Sequence, residues 1–537
     1  MNKTVVRWIM LLLPMFWSMK AVAFDIDGIR YEVLSESSRT VSAEAATNEI
    51  AGNVVIPSNV SFDGTEYTVT KISAGAFSNC KQLTSITIPE TVKTLGGEAF
   101  YECEKLESVK LSDNITEIGG WTFTRCYQLK EINIPKSLKR IGEYAFLSCK
   151  NIEEFAFPST LTSITEGAFS GCKGIRSLTV DEGNPKYLCE DGVLFNHGKT
   201  TLMLFPAQSE RTHYDIPATV STIWPVAFSG SKLKSITLPP TLKKIGKSAL
   251  GGMSQLESIT IPATVTEIEF SAFGSCASLK EVYVPNTVQS IGESAFAECS
   301  SLVKIHLPEG LTRIEGFLFD NCTSLSEVDA PSCVNYIGAA AFRNCSSLTA
   351  FQIPQEVTSI GDGAFEDCSQ LTEIVIPDKV QIVYGDAFMG CTGVQKLTIG
   401  CSVRELVGAC FCSCENIREV WSYIEEPFDV SDYDIPSLGD FSFAFRCFPE
   451  VVTQEAVLYV PKGTSGRYRS KLGWRDFIKI QEMGSATAVK ALSATGSNDT
   501  PAIYDLQGRK INAQCTMHNA QLNRGIYIRD GRKVVIK

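Results

Sequence analysis

The sequence predicts a repeat solenoid, β-rich with one short parallel strand per repeat, capped at both ends and followed by a small C-terminal β domain. Three observations lead to this fold class. An Ala-Phe pair recurs every 23 residues, a Cys follows each Phe by three positions with a Leu three further on, and an alternating apolar segment then ends at Pro. A repeat this short cannot bury its own apolar side, so it must stack on its neighbours.

One repeat shows where the strand is expected. Leu302, Ile305 and Leu307 fall at strand-like spacing, and Pro308, which cannot donate to a β-ladder, marks the strand's end. The Phe of each repeat is expected in an inward-facing turn, stacked on its equivalents in the adjacent layers. These residues are Phe77, Phe100, Phe123, Phe146, Phe169, Phe273, Phe296, Phe319, Phe342, Phe365, Phe388 and Phe411, with Phe228 and Leu250 at slightly altered spacing.

The repeat resembles that of the BspA-like leucine-rich repeat family, which has Cys where many leucine-rich repeats have Asn. The resemblance covers about residues 24–480. It implies a secreted or surface-exposed protein of a host-associated microbe, and several members of that family are adhesins that bind extracellular matrix glycoproteins. Stacked short strands are expected to provide an extended binding surface rather than a pocket.

The repeat pattern also divides the chain into segments. Leucine-rich repeats are predicted at residues 71–179 and 218–414, between an N-terminal β cap at 24–70 and a C-terminal cap at 415–483. The pattern breaks at residues 180–217, where strand-like runs at 192–195 and 201–205 predict a hairpin insert. In the second cap, Tyr468 and Trp474 are large enough to close the last layer. Residues 484–501 have the composition of a linker.

The amino terminus has the layout of a secretory signal peptide at residues 1–23. Lys3 and Arg7 precede an apolar core, and an Ala-Val-Ala sequence precedes the predicted cleavage before Phe24. The alternative is a membrane anchor, but an apolar core of about ten residues is too short for a hydrocarbon layer about 30 Å thick. We therefore expect the protein to be exported.

The last segment, residues 502–537, differs from the rest of the chain. The runs from Tyr504 to Arg509 and from Gly525 to Lys537 each predict a strand, a glycine turn and a strand, and basic residues outnumber acidic ones here. The segment resembles the C-terminal sorting domain of the type IX (Por) secretion system. That resemblance implies contact with the secretion machinery and delivery to the outer-membrane surface or the extracellular space; the alternative is a small structural β-unit.

The charge of the chain limits its partners. Lys and Arg together number 49 against 60 Asp and Glu, which gives a net charge of −11. Nucleic acids and anionic membranes are bound through basic patches. Neither is expected as the main partner.

Most of the 19 cysteines occupy one position of the repeat, which holds Ser231 and Met253 in two other repeats. A position that tolerates such replacements is a packing position, so a ladder of reduced, buried thiols is predicted, with some oxidised pairs as the alternative. Cys412 has no role in the repeat and could pair with Cys447. The ladder cysteines are Cys80, Cys103, Cys126, Cys149, Cys172, Cys276, Cys299, Cys322, Cys345, Cys368, Cys391 and Cys414.

The sequence offers few convergent catalytic groups, so neither an enzymatic activity nor a catalytic residue is predicted. It has four histidines and none of the GxSxG, HExxH or glycine-rich phosphate-binding motifs. Cys410, Cys412 and Cys414 lack the CxxC spacing of a thiolate site, and the acidic run at 429–434 lacks the glycine and glutamate of a calcium loop. Metal ions and cofactors are therefore not expected.

Two surface patches are the candidate binding sites. The first consists of two aromatic residues that hold the same repeat position in adjacent repeats and should stack. The second lies on the strand face, where aromatic and charged residues follow one another in outward positions and suit the recognition of proteins or glycans. Ordinary surface variation is the alternative for both. The residues are Trp121 and Tyr144 in the first patch, and Tyr283, His306, Asp329 and Lys304 in the second.

Together these features predict a non-enzymatic binding protein at the cell surface or outside the cell. The main hypothesis is an adhesin that recognises host extracellular-matrix glycoproteins or other cells through the solenoid face. The alternatives are a glycan-binding accessory protein and a self-associating structural or biofilm component. The expected partners are extracellular proteins or glycoproteins, or glycans.

Overall fold

The computed structural model describes residues 22–430 and 446–484. Beyond these ranges it describes the backbone of short strands at 433–434, 444–445, 503–504, 510–511, 525–529 and 532–536. The predicted signal peptide, except its last two residues, and the predicted linker, except its first residue, lie outside the described residues. The chain divides into two compact units, a first unit of residues 1–210 and 224–231 and a second unit of residues 211–223 and 232–537.

The strands of the first unit, taken over its described residues, number eighteen. They are β1 (Ala23–Ile26), β2 (Ile29–Ser35), β3 (Thr40–Ala45), β4 (Ala51–Val55), β5 (Asn59–Phe62), β6 (Thr65–Ile72), β7 (Gln82–Thr87), β8 (Thr94–Leu95), β9 (Ser108–Lys110), β10 (Glu117–Ile118), β11 (Glu131–Ile132), β12 (Arg140–Ile141), β13 (Glu154–Phe157), β14 (Ser163–Ile164), β15 (Ser177–Val180), β16 (Tyr187–Glu190), β17 (Val193–Asn196) and β18 (Thr201–Leu204).

The repeats of this unit form two sets of parallel strands. β4, β7, β9 and β11 are neighbours in one sheet, β13 pairs with β15, and the shorter strands β10, β12 and β14 are neighbours in another sheet. Paired residues of successive repeats lie 23 positions apart, as Ile118 and Ile141 do. The predicted solenoid is thus confirmed. Each repeat also supplies a second strand that was not expected, because two residues are too few to show an alternating pattern.

Further strands lie before and after these repeats. β1, β2 and β3 are antiparallel neighbours, and β5 forms a hairpin with β6. β4 comes from the same predicted cap, yet it pairs in parallel with β7 and so begins the repeat sheet. In the predicted insert, β17 and β18 form the expected hairpin, and β16 adds a third antiparallel strand.

The second unit contains the remaining elements. They are β19 (His213–Asp215), β20 (Thr222–Ile223), β21 (Ser235–Thr237), β22 (Lys244–Ile245), β23 (Ser258–Thr260), β24 (Glu267–Ile268), β25 (Glu281–Tyr283), β26 (Ser290–Ile291), β27 (Lys304–His306), β28 (Arg313–Ile314), β29 (Glu327–Asp329), β30 (Tyr336–Ile337), β31 (Ser359–Ile360), β32 (Glu373–Ile376), β33 (Ile382–Val383), β34 (Lys396–Ile399), β35 (Glu405–Leu406), β36 (Glu419–Ser422), β37 (Tyr433–Asp434), β38 (Ala444–Phe445), α1 (Glu450–Glu455), β39 (Val457–Val460), α2 (Ser465–Arg469), β40 (Lys479–Glu482), β41 (Ile503–Tyr504), β42 (Lys510–Ile511), β43 (Gly525–Arg529) and β44 (Arg532–Ile536).

The same two sets of parallel strands recur in this unit. One set contains β19-β21-β23, β25-β27-β29 and β32-β34-β36-β39-β40, and the other contains β22-β24-β26 and β28-β30-β31-β33-β35. In the predicted cap, Tyr468 and Trp474 are fully buried, as expected, and the Tyr468 hydroxyl donates to Ile424 O at 2.7 Å. The backbone of the tail forms an antiparallel sheet, β42-β41-β43-β44, which contains the two predicted hairpins.

The core is built from columns of equivalent side chains. The Phe rings stack from layer to layer, with centroids 5.5 Å apart for Phe77 and Phe100 and 5.3 Å apart for Phe100 and Phe123. These rings are completely buried. The stacking expected from the 23-residue period is therefore confirmed, and each repeat shares its core with the next.

The ladder cysteines are buried beside these rings, as predicted, and they also make hydrogen bonds. The Cys103 thiol donates to Phe77 O at 3.0 Å, and the Cys322 thiol donates to Phe296 O at 3.1 Å, each reaching the layer before its own. Where Ser231 holds this position, its buried hydroxyl has no partner among the described residues. The thiol thus joins successive layers through a polar contact that the shorter serine side chain does not make.

The suggested pairing of Cys412 with Cys447 is wrong. Cys447 is buried against the side chain of Cys410, and the Phe411 N–H donates to Cys447 O at 3.1 Å. Phe448 stacks on Phe411 with ring centroids 5.4 Å apart, so the pair 447–448 is the Ala-Phe pair of one more layer. Cys412 lies apart from it, half-buried, with its thiol 3.8 Å from the Ser413 hydroxyl.

A close approach of backbones fixes the spacing of some layers. A Cβ atom on Gly142 would lie 2.5 Å from Gly120 N and 2.7 Å from the carbonyl carbon of Gly119. Both contacts are with backbone, so only a separation of the layers would make room. Glu269 and Tyr384 hold the same repeat position elsewhere, so it is the local approach that requires glycine here.

We expect Gly142→Ala to destabilise the protein by about 1–3 kcal/mol through overpacking. The matched control is Gly198→Ala, whose added Cβ would meet nothing within 4 Å. Urea unfolding followed by circular dichroism measures both variants. Equal unfolding midpoints would show that the two layers can separate without cost.

Burial of the thiol ladder should make the fold sensitive to alkali. Burial raises the pKa of the Cys322 thiol to about 12, while an unfolded thiol ionises near a pKa of about 8.5. The unfolded chain therefore loses protons first as the pH rises, and the folded state loses stability between about pH 8.5 and 12, by about 1.4 kcal/mol per pH unit for each such thiol.

Cys322→Ala isolates this effect from the titration of Lys and Tyr. At pH 7 we expect the variant to be less stable by about 1–3 kcal/mol, because a hydrogen bond and packing are lost. Between pH 9 and 11 its urea midpoint should fall less steeply than that of the parent, measured with reductant present. An unchanged slope would mean that this thiol ionises as readily in the folded state.

Candidate functional site

The strand-face row consists of Tyr283, His306, Asp329 and Lys304, and the pairing of β25, β27 and β29 brings it together. Tyr283 lies opposite His306, and His306 lies opposite Asp329. The residues between the outward positions, such as Val282 and Ile305, are completely buried. Alternation along each strand therefore turns the row outward, and the packed core holds it in place.

Side-chain contacts order this row further. The rings of Tyr283 and His306 have centroids 5.7 Å apart, with planes inclined at 50°. The His306 Nδ1 atom lies 2.6 Å from an Asp329 carboxylate oxygen. Tyr283 stays 60% exposed, while the His306 side chain is 33% exposed. The row thus presents a tyrosine ring that rests on a histidine, which in turn contacts a carboxylate.

Charged residues beside the row pair with one another. Lys304 Nζ lies 2.8 Å from Glu327 Oε2. This hydrogen bond raises the pKa of Lys304 and lowers the pKa of Glu327. Both groups are thus ionised at neutral pH, and the pair forms a polar border along one side of Tyr283 and His306.

The ring pair consists of Trp121 and Tyr144 in the first unit. Their ring centroids are 4.7 Å apart and the ring planes are inclined at 48°, so the expected contact exists. Trp121 is 37% exposed. In the next layer the Tyr144 ring packs over Gly167, where an added Cβ would lie 2.9 Å from the ring. The aromatic surface ends at that glycine.

Sequence reasoning missed two further groups on the strand face of the second unit. Trp421 and Tyr459 stack at 4.1 Å in the outward position that Tyr283 also occupies, but only 6% and 8% of their surfaces are exposed. Trp421 could have been found from the sequence, because it continues the row of outward positions that are 23 residues apart. Tyr459 lies after the period is lost.

The other missed group is a hydrogen-bonded series of Ser235, His213 and Asp215. His213 Nδ1 lies 2.7 Å from the Ser235 hydroxyl, and His213 Nε2 lies 3.0 Å from an Asp215 carboxylate oxygen. The side chains of His213 and Asp215 are 48% and 74% exposed on an open sheet. Nucleophilic catalysis by serine needs hydrogen-bond donors arranged to stabilise an oxyanion in a water-excluded site. This exposed series lacks that enclosure.

Searches for other site types were made over the described residues only. There, no group of three or more His, Cys, Asp or Glu is arranged to hold a metal ion. The same residues contain no helix that is both long enough and apolar enough to cross a bilayer.

Comparison with known proteins gives matches at the level of the repeat. The BspA type leucine rich repeat region matches in six copies, over residues 65–187, 204–314 and 290–418, which is more than half of the 537 residues. No significant match was found among curated proteins.

Several solved structures are similar. A leucine-rich repeat protein from Eubacterium ventriosum ATCC 27560 is 24% identical with a TM-score of 0.51, over 64% of this chain and 94% of that chain. A leucine rich cell surface protein from Faecalibacterium prausnitzii A2-165 is 25% identical with a TM-score of 0.46, over 63% and 100%. The pneumococcal vaccine antigen PcpA is 20% identical with a TM-score of 0.49, over 72% and 98%. The first of these likenesses shows a shared fold.

Proposed function

Because the chain belongs to the BspA-type leucine-rich repeat family, we propose that it is a non-enzymatic binding protein that acts outside the cell as an adhesin for extracellular proteins or glycoproteins. The observation that carries this proposal is the strand-face row. It offers a 60% exposed Tyr283 on a rigid parallel sheet, with neighbouring charges already paired. Such a surface suits a protein partner better than it suits catalysis.

The contacts in the row suggest how binding would work. Tyrosine supplies a large contact area at little conformational cost, and Tyr283 is already held against His306. The pair of Lys304 and Glu327 would lie at the rim, where exposed ion pairs contribute to orientation more than to affinity. Tyr283 is thus the anchor of the proposed interface, and His306 is a positioning residue beneath it.

Export completes the proposed function. The N-terminal segment has the layout of a signal peptide, and the tail combines a basic composition with paired strands β43 and β44. We propose that the tail acts as a type IX sorting domain and delivers the protein to the outer-membrane surface or the extracellular space. Contact with a host partner requires that delivery.

Tyr283→Ala combined with His306→Ala should weaken binding to the matrix partner by about tenfold or more, as expected for loss of an aromatic anchor. The measurement is titration of the full chain against an array of matrix glycoproteins and free glycans. Tyr384→Ala is the matched control, because Tyr384 is 42% exposed and lies outside the row. An equal loss in both variants, or saturable binding to glycans alone, would contradict the proposal.

Removal of residues 502–537 should prevent the protein from crossing the outer membrane. Protease digestion of intact cells measures surface exposure, and the full chain is the reference. As a matched test, the same residues fused to a reporter that carries a signal peptide should bring that reporter to the surface. Surface delivery of the shortened chain would reject the sorting role of the tail.

A further inference from the structure

The ring pair occupies a backbone position that does not favour large side chains. Trp121 and Tyr144 have φ values of 60° and 51°, in the left-handed region. Other repeats also have positive φ at this position, with residues of varied size: Glu98, Gly167, Val226, Ser294, Phe317 and Gly363. A bulky residue held there costs about 1–2 kcal/mol relative to glycine. Since glycine, serine and glutamate also hold this position, the turn forms without such rings.

Several other aromatic rings of this protein have a cation of the chain itself over them. The Arg313 guanidinium lies 4.0 Å from the Tyr336 ring centroid, and Lys150 Nζ lies 4.8 Å from that of Tyr127. Phe317 occupies the repeat position of Trp121, and the Arg343 guanidinium lies 5.4 Å from its ring. By contrast, the described residues place no Lys or Arg over Trp121 or Tyr144.

Three glutamates hold the same repeat position as the ring pair, or the position just before it, in the same or adjacent layers. Glu98 holds the same repeat position one layer before Trp121, Glu143 directly precedes Tyr144, and Glu166 follows one layer later. All three are exposed, and backbone hydrogen bonds connect their layers, as when the Trp121 N–H donates to Glu143 O at 2.9 Å. Among the described residues none of the three forms an ion pair.

Among the described residues of the first unit, five other carboxylates pair with a cation one layer away. Lys81 pairs with Glu104 at 2.9 Å, and Arg140 pairs with Glu117 at 3.5 Å. Arg125 pairs in the same way with Glu102. At Trp121 and Tyr144, rings without a cation and carboxylates without an ion pair occur together, which leaves room for a cation from outside.

We propose that the ring pair, with Glu98, Glu143 and Glu166, binds the lysine or arginine side chains of a basic segment on an extracellular protein. A cation within about 6 Å of an aromatic ring is attracted by the negative face of the ring, and Trp attracts it most. The carboxylates add charge complementarity. A sugar would stack better on coplanar rings than on two planes inclined at 48°. The proposal does not depend on the strand-face row, which lies in the second unit.

The test uses the full chain and a fluorescently labelled ten-residue oligolysine, with binding followed by anisotropy. We expect saturable binding that weakens as NaCl is added. Trp121→Gly combined with Tyr144→Gly should reduce affinity about tenfold. The fold should persist, since glycine suits both backbone positions, and circular dichroism checks this. Phe317→Gly, at the same repeat position but with the Arg343 guanidinium already over its ring, should leave affinity unchanged.

A charge-matched comparison separates the site from general acidity. Replacement of Glu98, Glu143 and Glu166 by Gln should weaken oligolysine binding and its salt dependence. Replacement of the paired Glu102, Glu104 and Glu117 by Gln removes the same charge and should have little effect. An equal loss of oligolysine affinity in the two variants would show that only net charge matters, and would overturn the proposal.

Two other results would also overturn it. Oligolysine binding that is unchanged in the double glycine variant would show that the rings take no part. Binding of cellohexaose, lost on ring removal while oligolysine binding persists, would make this a glycan site. Tyr283→Ala serves as a reference in every titration. It removes the proposed anchor of the strand-face row and should leave oligolysine binding intact, so the two proposals are tested separately.

Discussion

The contact between successive layers is the interaction on which the rest of the structure depends. Most layers join the next through parallel backbone pairing, a stacked Phe ring and a thiol that donates to the carbonyl of the preceding Phe. No layer has a core of its own, so the stability of each depends on its neighbours. Inward positions are consequently constrained along the stack, while outward positions vary freely.

This difference between inward and outward positions explains how a surface can be specific without a pocket. Tyr283, His306 and Asp329 are aligned by the register of β25, β27 and β29, and no loop has to fold around a ligand to arrange them. The ring pair arises differently, on turns whose left-handed positions point two large rings away from the core. A regular scaffold therefore presents two unlike surfaces, one on its strands and one on its turns.

The features that could be predicted from the sequence are those that repeat at the fixed period. The buried Phe and Cys columns were predictable because they repeat every 23 residues, and so was the neighbourhood of Tyr283 and His306. Prediction failed where the period is lost: Phe448 stacks on Phe411, and Cys447 meets Cys410, at spacings that no longer match the repeat. The contact of His306 with Asp329 and the cation over Phe317 depend on side-chain conformations, which spacing does not encode.

The constant register has a consequence for how such a chain can change over generations. Since partners in adjacent strands lie 23 residues apart, duplication or loss of one whole repeat leaves every inward contact intact. Only the series of outward residues changes, because it gains or loses one member. Unequal recombination between repeats can thus change the order of exposed residues in a single step. New binding surfaces can arise in this way without a change in the core.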